Sequence, residues 1–147
     1  MTISPSPDKL SILVSDHHFD KVHYALVMAS AAAAIGKPVT LFFTMGACQA
    51  LMDFRLNPCL SWREMPLSDE TGTGAERDQF YADNGIGGFE ELLEASSALG
   101  VTFMVCEMGM RAKNFPNPSL RKDLNIEISG VVTFLNDASK DGSIIYI

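Results

Sequence analysis

The chain has 147 residues, enough for one domain with a substantial core, and its 47% hydrophobic and 20% charged residues are ordinary for a globular protein. Eleven Lys and Arg residues stand against eighteen Asp and Glu residues, which gives a net charge of −7, and the basic residues are not clustered. Binding to nucleic acid or to an anionic membrane surface requires clustered cations, so we expect neither partner. We also expect no membrane span, because no apolar run approaches the ~18 residues that a span needs.

The number and spacing of the cysteines bear on the cellular compartment. There are three, Cys48, Cys59 and Cys106, and no CxxC pair. An odd count at wide spacing argues against a disulfide framework, a zinc ribbon or a thioredoxin-type motif. The first nine residues are polar and contain two prolines, which predicts a frayed tail rather than a signal peptide. We therefore expect a cytoplasmic protein with reduced thiols.

The first half of the chain has the pattern of a βαβ unit. Leu10–Val14 is a short apolar run that predicts a buried strand, and Phe19–Ile35 has helical spacing with Gly36 just beyond its end. Val39–Phe43 predicts the second strand, and Gly46–Met52 a short helix. Two strands joined through a helix within so few residues are expected to be parallel, with a right-handed crossover.

Residues 54–85 interrupt this pattern with two prolines and the sequence Thr71-Gly72-Thr73-Gly74. Seven acidic and three basic residues lie between Asp53 and Asp83, so this stretch carries more than half of the net charge. A connection this long is unusual in a compact domain and is typically a lid, an interface arm or disordered. We interpret it as a mobile, variable insertion that covers the functional site. The alternative is a variable loop without a role.

Regular elements resume near Gly87 and continue to the end of the chain. The patterns predict a helix from Phe89 to Leu99, strands at Val101–Val105, Ile126–Ile128 and Ser143–Ile147, a helical turn at Glu107–Ala112, and a helix at Gly130–Ser139. Alternating strands and helices predict a single α/β domain over residues 1–147, built on a five-stranded, mainly parallel sheet.

In open parallel sheets, ligands bind beyond the carboxyl ends of the strands. Three such ends can be identified, at Ser15–His18, at Thr44–Gly46 and at Cys106–Met110. Cys106 is the cysteine placed directly at a strand end, and the free N–H groups of a following helical turn would favour its thiolate, the form that reacts with sulfur species. The alternative is a buried core cysteine that merely completes an apolar strand.

Other residues near these ends are candidates for lining a pocket. They are His17, His18, Thr44, Met45, Met108, Gly109 and Met110. The methionines would form an apolar, polarizable wall around a sulfur atom, or else simply fill the core.

Four further features of the sequence are not expected to carry chemistry. Cys48 lies in a helical pattern and is expected to fill space, and Cys59 lies in the insertion without a fixed partner. We expect no metal, because His18 and His23 are five residues apart, which suits one helical face poorly. We also expect no cofactor. The glycine-rich stretch at residues 85–88 follows no predicted strand and indicates a hinge.

The sequence resembles the DsrE/DsrF-like family, in particular its peroxiredoxin-labelled sulfurtransferase branch. Three blocks carry the likeness: Lys9–Gly46 with Gly36-Lys37-Pro38-Val39-Thr40-Leu41-Phe42-Phe43, Phe89–Met110 with the Cys-x-Met-x-Met run at Cys106, Met108 and Met110, and Ile126–Leu135 with Ile126-Glu127-Ile128-Ser129-Gly130-Val131. Gly109 stands where that branch usually has Ser.

The resemblance implies a three-layer α/β/α fold and a homo-oligomer, most simply a trimer or a multiple of one. It also implies that Cys106 carries sulfane sulfur as a persulfide, with protein or small-molecule thiols as donor and acceptor. The protein would then be a sulfur carrier or sulfurtransferase. The alternative from another class is a non-catalytic oligomeric binding or scaffold module in which Cys106 is buried and structural.

Overall fold

A five-stranded sheet forms the centre of the structure, a computed structural model that describes residues 6–147. The first five residues of the predicted tail lie outside the described range. The strands are β1 (Leu10–Val14), β2 (Val39–Phe43), β3 (Thr102–Cys106), β4 (Ile126–Ser129) and β5 (Ser143–Tyr146). Their order across the sheet is β4-β3-β2-β1-β5, and every neighbouring pair is parallel. The predicted five-stranded sheet is confirmed.

Helices flank the sheet on both faces. They are α1 (Phe19–Ala34), α2 (Gly74–Asp83), α3 (Phe89–Ala98), α4 (Glu107–Ala112) and α5 (Val131–Asp137), with short 3₁₀ helices at Met45–Leu51, Trp62–Glu64 and Asn117–Ser119. Helices α1 and α3 contact each other, and α1 packs on β1 and β2. Helix α5 packs on the opposite face, so the three-layer α/β/α prediction is confirmed.

Alternation along the strands divides the buried side chains into two cores. In β2 and β3, Leu41, Phe43, Phe103 and Val105 belong to a larger core under α1 and α3. The residues between them point to the other face and form a smaller core. The smaller core consists of Phe42, Met104, Cys106 and Phe134, with Leu13 against it. All of β2 is buried, as expected for a central strand covered on both faces.

Residues 54–85 contain more regular structure than their composition predicts. Helix α2 begins with a capping box, in which the Thr73 side chain accepts the Glu76 N–H and the Glu76 carboxylate accepts the Thr73 N–H. The pair Thr73-x-x-Glu76 is the sequence signal that the interpretation as an irregular insertion overlooked. Trp62 and Met65 contribute buried side chains to the larger core, so part of this segment is a component of the core.

The same segment does not lie over the sulfur atom in the way we expected of a lid. Trp62 packs against Phe19 and Phe89, with ring centroids 5.6 and 4.9 Å apart. The Phe19 N–H also donates to the Pro66 carbonyl. These contacts are on the face of α1 and α3, whereas the Cys106 side chain is in the smaller core on the other face.

Within residues 6–147, no helix combines the length and the apolar character that crossing a membrane demands.

Candidate functional site

Cys106 is the last residue of β3 and the N-cap of α4. Its backbone is extended (φ −80°, ψ 117°), and the Gly109 N–H donates a hydrogen bond to Sγ at 3.3 Å. The sulfur thus lies at the carboxyl end of the sheet, where the first turn of α4 supplies a hydrogen-bond donor to it. The side chain is only 3% exposed.

Gly109 holds α4 close to the end of β2. A Cβ at this position would lie 2.5 Å from the Met45 nitrogen and would also strike the Thr44 side chain. Only glycine therefore allows the first turn of α4 to rest on Thr44 and Met45. A serine at position 109, as the resembled family usually has, would not fit this packing.

Gly46 makes a similar close approach at the end of β1. A Cβ on Gly46 would lie 2.5 Å from the Cβ of His17. The loops after β1, β2 and β3 therefore pack side by side, through His17 against Gly46 and Met45 against Gly109. These are the three strand ends that we identified from the sequence.

The candidate methionines lie in three different environments. Met110 is fully buried in the larger core, so it faces away from the core that holds the Cys106 side chain. Met108 is 54% exposed on the outside of α4. Met45 is partly exposed and has a positive φ of 49°. The three methionines therefore do not share one wall, and Met110 is a core residue.

The two candidate histidines meet at the end of β1. The Asp16 carboxylate accepts the His18 N–H at 2.7 Å and lies 2.8 Å from His18 Nδ1. The ligand atoms of Asp16, His17 and His18 all lie within 4.8 Å of one another, a spacing that a metal ion would accept. The turn that ends β1 accounts for this cluster, since the carboxylate already receives both of these contacts. We assign no metal to it.

The other two cysteines differ sharply from each other. Cys48 is fully buried, donates weakly to the Phe43 carbonyl (3.6 Å), and has a thiol pKa that burial raises to about 12. Such a thiol stays protonated, which fits a space-filling role. Cys59 is exposed.

The connections after β3 and β4 leave the sheet in opposite directions. Helix α4 places Met110 in the larger core, whereas α5 places Phe134 in the smaller core. Open α/β sheets bind ligands beyond the carboxyl ends of their strands. Cys106 lies at such an end, beside the point where these two connections part to opposite faces of the sheet.

Ser129 is the residue of this site that the sequence analysis missed. It ends β4 and pairs in register with Cys106, so the two side chains share one face of the sheet. The pattern of the sequence predicts that β4 exists but cannot show which strand lies beside it. No signal in the sequence would therefore have associated Ser129 with Cys106.

Among known proteins, similarity to this chain is found in solved structures. No protein-family model and no curated protein matches the chain. Among solved structures, the ychN protein from E. coli is similar over 95% of this chain and 99% of that chain, with a TM-score of 0.60 and 14% identity. MTH1491, a protein of unknown function from Methanobacterium thermoautotrophicum, is similar over 95% and 98%, with a TM-score of 0.55 and 12% identity. At these identities, what the chain shares with both proteins is the fold.

Proposed function

We propose that the protein is a sulfur-relay protein that carries sulfane sulfur as a persulfide on Cys106. The observation that carries the proposal is the position of this sulfur. It lies at the carboxyl end of β3, where open parallel sheets bind ligands, and accepts the Gly109 N–H. The sulfur therefore has a fixed hydrogen-bond donor at the end of the strand.

Two further lines support the proposal. The Cys-x-Met-x-Met run resembles the sulfurtransferase branch of the DsrE/DsrF-like family, and the two solved neighbours have a DsrE/DsrF-like fold. The similarity in fold is compatible with a sulfur-relay function, and Cys106 supplies the thiol that such a function requires.

The transfer is a pair of thiol exchanges without net oxidation. The Cys106 thiolate attacks the outer sulfur of a donor R–S–SH, the donor S–S bond breaks, and R–S⁻ leaves to be protonated to R–SH. The product is Cys106–S–SH. An acceptor thiolate then attacks the outer sulfur and releases the Cys106 thiolate.

The burial of Cys106 restricts the partners. Phe42, Met104 and Phe134 surround the sulfur on the α5 face and leave little surface open. A bulky protein thiol cannot approach such an atom without movement of α4 or α5. We therefore propose small persulfides or polysulfides as the direct donors.

A second candidate function is a non-catalytic binding or scaffold module. The same burial favours it, because a cysteine that is 3% exposed is also an ordinary core residue. The exposed apolar side chains of α5, Val132 and Leu135, would then serve a partner.

Intact mass spectrometry after incubation with inorganic polysulfide tests the proposal. We expect the wild type to gain mass in steps of one sulfur atom and Cys106→Ser to gain none at that site. Cys59→Ser, which removes the exposed thiol, is the matched control and should load like the wild type. Equal loading of the wild type and Cys106→Ser would assign the sulfur to another cysteine and refute the proposal. Slow alkylation of Cys106 at neutral and mildly acidic pH would favour the scaffold module.

A further inference from the structure

Three residues form a row across the sheet at the sulfur. Cys106 and Ser129 are register partners on β3 and β4. Thr44 follows Phe43, whose partner is Val105, so Thr44 stands beside Cys106 on the other side. Side chains at matching positions of parallel strands point to the same face, with backbones about 4.8 Å apart. Cys106 thus has a hydroxyl-bearing residue beside it on each side, Ser129 at the end of β4 and Thr44 just after β2.

The hydroxyl of Ser129 has an unused capacity for hydrogen bonding. Its Oγ is buried, and among residues 6–147 it has no hydrogen-bond partner. A buried hydroxyl without a partner is destabilising, and each one in a native protein calls for an explanation. The Cys106 Sγ does not serve as the missing partner of this hydroxyl, because the hydrogen bond that Sγ accepts comes from the Gly109 N–H.

We infer that the Ser129 hydroxyl donates a hydrogen bond to the outer sulfur of the Cys106 persulfide. This inference rests on the proposed function. An S–S bond of about 2.05 Å extends the reach of Cys106 beyond Sγ, toward groups that the thiol does not contact. The Gly109 N–H then holds the inner sulfur and Ser129 the outer sulfur. A donor on the outer sulfur stabilises its anion and retains it against small thiols.

The chain offers a close control for this role. Ser11 also has a buried Oγ without a partner in the described part of the chain. It lies on β1, two positions before Leu13, and therefore on the same sheet face as the smaller core. It is two strands away from Cys106, so it shares the buried, unpartnered Oγ of Ser129 but not the position beside Cys106.

The test measures how long the persulfide survives. Wild type, Ser129→Ala and Ser11→Ala are loaded with inorganic polysulfide, freed of excess, and exposed to a small thiol while loss of sulfur is followed by intact mass. We expect Ser129→Ala to lose sulfur on the order of tenfold faster, since hydrogen bonds to charged groups are the strong ones. Ser11→Ala should keep the wild-type rate.

A second pair of variants separates the hydroxyl from the shape of the side chain. Ser129→Thr keeps the hydroxyl and Ser129→Val replaces it with a methyl group in a side chain of similar shape, and both residues suit a strand. The Thr variant should retain sulfur longer than the Val variant. Alkylation of unloaded Cys106 should be equal in the two, whereas a merely structural role of Ser129 would change both measurements together.

The outcomes distinguish the inference from the function on which it rests. A wild type that does not load at Cys106 would refute the proposed function. A wild type that loads normally, with equal sulfur loss from the wild type, Ser129→Ala and Ser129→Val, would overturn the role of Ser129 alone.

Discussion

At the scale of single residues, His23 couples stability to pH. It lies on α1, is 3% exposed, and its Nε2–H donates to the Gly87 carbonyl at 2.8 Å. Its ring packs 4.5 Å from the ring of Tyr81. Burial disfavours the charged imidazolium and lowers the pKa of His23, although the Gly87 carbonyl and Asp78 oppose this effect. The neutral imidazole is therefore part of the folded structure.

We predict that stability decreases as the pH falls below the unfolded-state pKa of His23, about 6.5. Below that pH the unfolded chain binds a proton that the folded protein binds only at lower pH, so unfolding becomes more favourable. Urea denaturation between pH 7.5 and 5.5 measures this effect. His23→Gln keeps an N–H donor but does not titrate, and its stability should depend less steeply on pH. The exposed His17→Gln is the control, and it should keep the wild-type dependence. Equal slopes for all three proteins would contradict the prediction.

At the scale of elements, the close packing of α4 against the loop after β2 determines where the sulfur lies. Gly109 makes this contact possible, and Gly130, the N-cap of α5, provides a comparison. A Cβ at Gly109 would meet backbone and side-chain atoms of Thr44 and Met45, whereas a Cβ at Gly130 has no described atom within 4 Å. The φ of Gly130 is −124°, which other residues adopt without strain.

We predict that Gly109→Ala lowers the free energy of unfolding by about 1–3 kcal/mol, the usual cost of an overpacked site. Because α4 must move away from Thr44, the Gly109 N–H should also withdraw from Cys106. Gly130→Ala should cost less than Gly109→Ala, because it replaces an N-cap glycine without creating a clash. Urea denaturation of the three proteins checks this. A Gly109→Ala variant as stable as Gly130→Ala would show that the packing is looser than the structure indicates.

At the scale of the whole molecule, the α5 side of the sheet carries exposed apolar side chains. Val132 and Leu135 point away from the buried Phe134 on α5. Ile144 and Tyr146 of β5 lie on the same sheet face, since they pair with Ser11 and Leu13. Exposed apolar residues grouped on one side are typical of interaction surfaces. This side is where we place the contact of the homo-oligomer expected from the sequence.

We predict that light scattering at micromolar concentration gives a mass above that of the 16.0 kDa chain. Replacing Val132 and Leu135 with Asp should lower that mass, because charges would be buried in the contact. Ile35→Asp is the control, since Ile35 is 74% exposed at the end of α1, on the other side of the sheet. A monomeric wild type would refute the oligomer. An oligomer that survives the double substitution would place the contact elsewhere.

Much of the fold and part of the site follow from local pattern alone. Short β-branched runs such as Val39–Phe43 and Val101–Val105 predict strands, because residues covered on both faces must be apolar throughout. Because Cys106 stands at the end of such a run, its sulfur lies at the carboxyl end of the sheet, where Thr44, Met45 and His17 also lie. Local pattern also contained the capping box of α2, although we overlooked it.

The tertiary structure decided what depends on pairing and packing between distant segments. The register that places Ser129 beside Cys106 arises from contacts between β3 and β4, which no local spacing encodes. The face of the sheet on which a side chain lies is decided in the same way, so Met110 is in the larger core and Cys106 in the smaller one. The environment of the sulfur is therefore a property of the packed sheet, whereas its place at the strand end is already determined by the sequence.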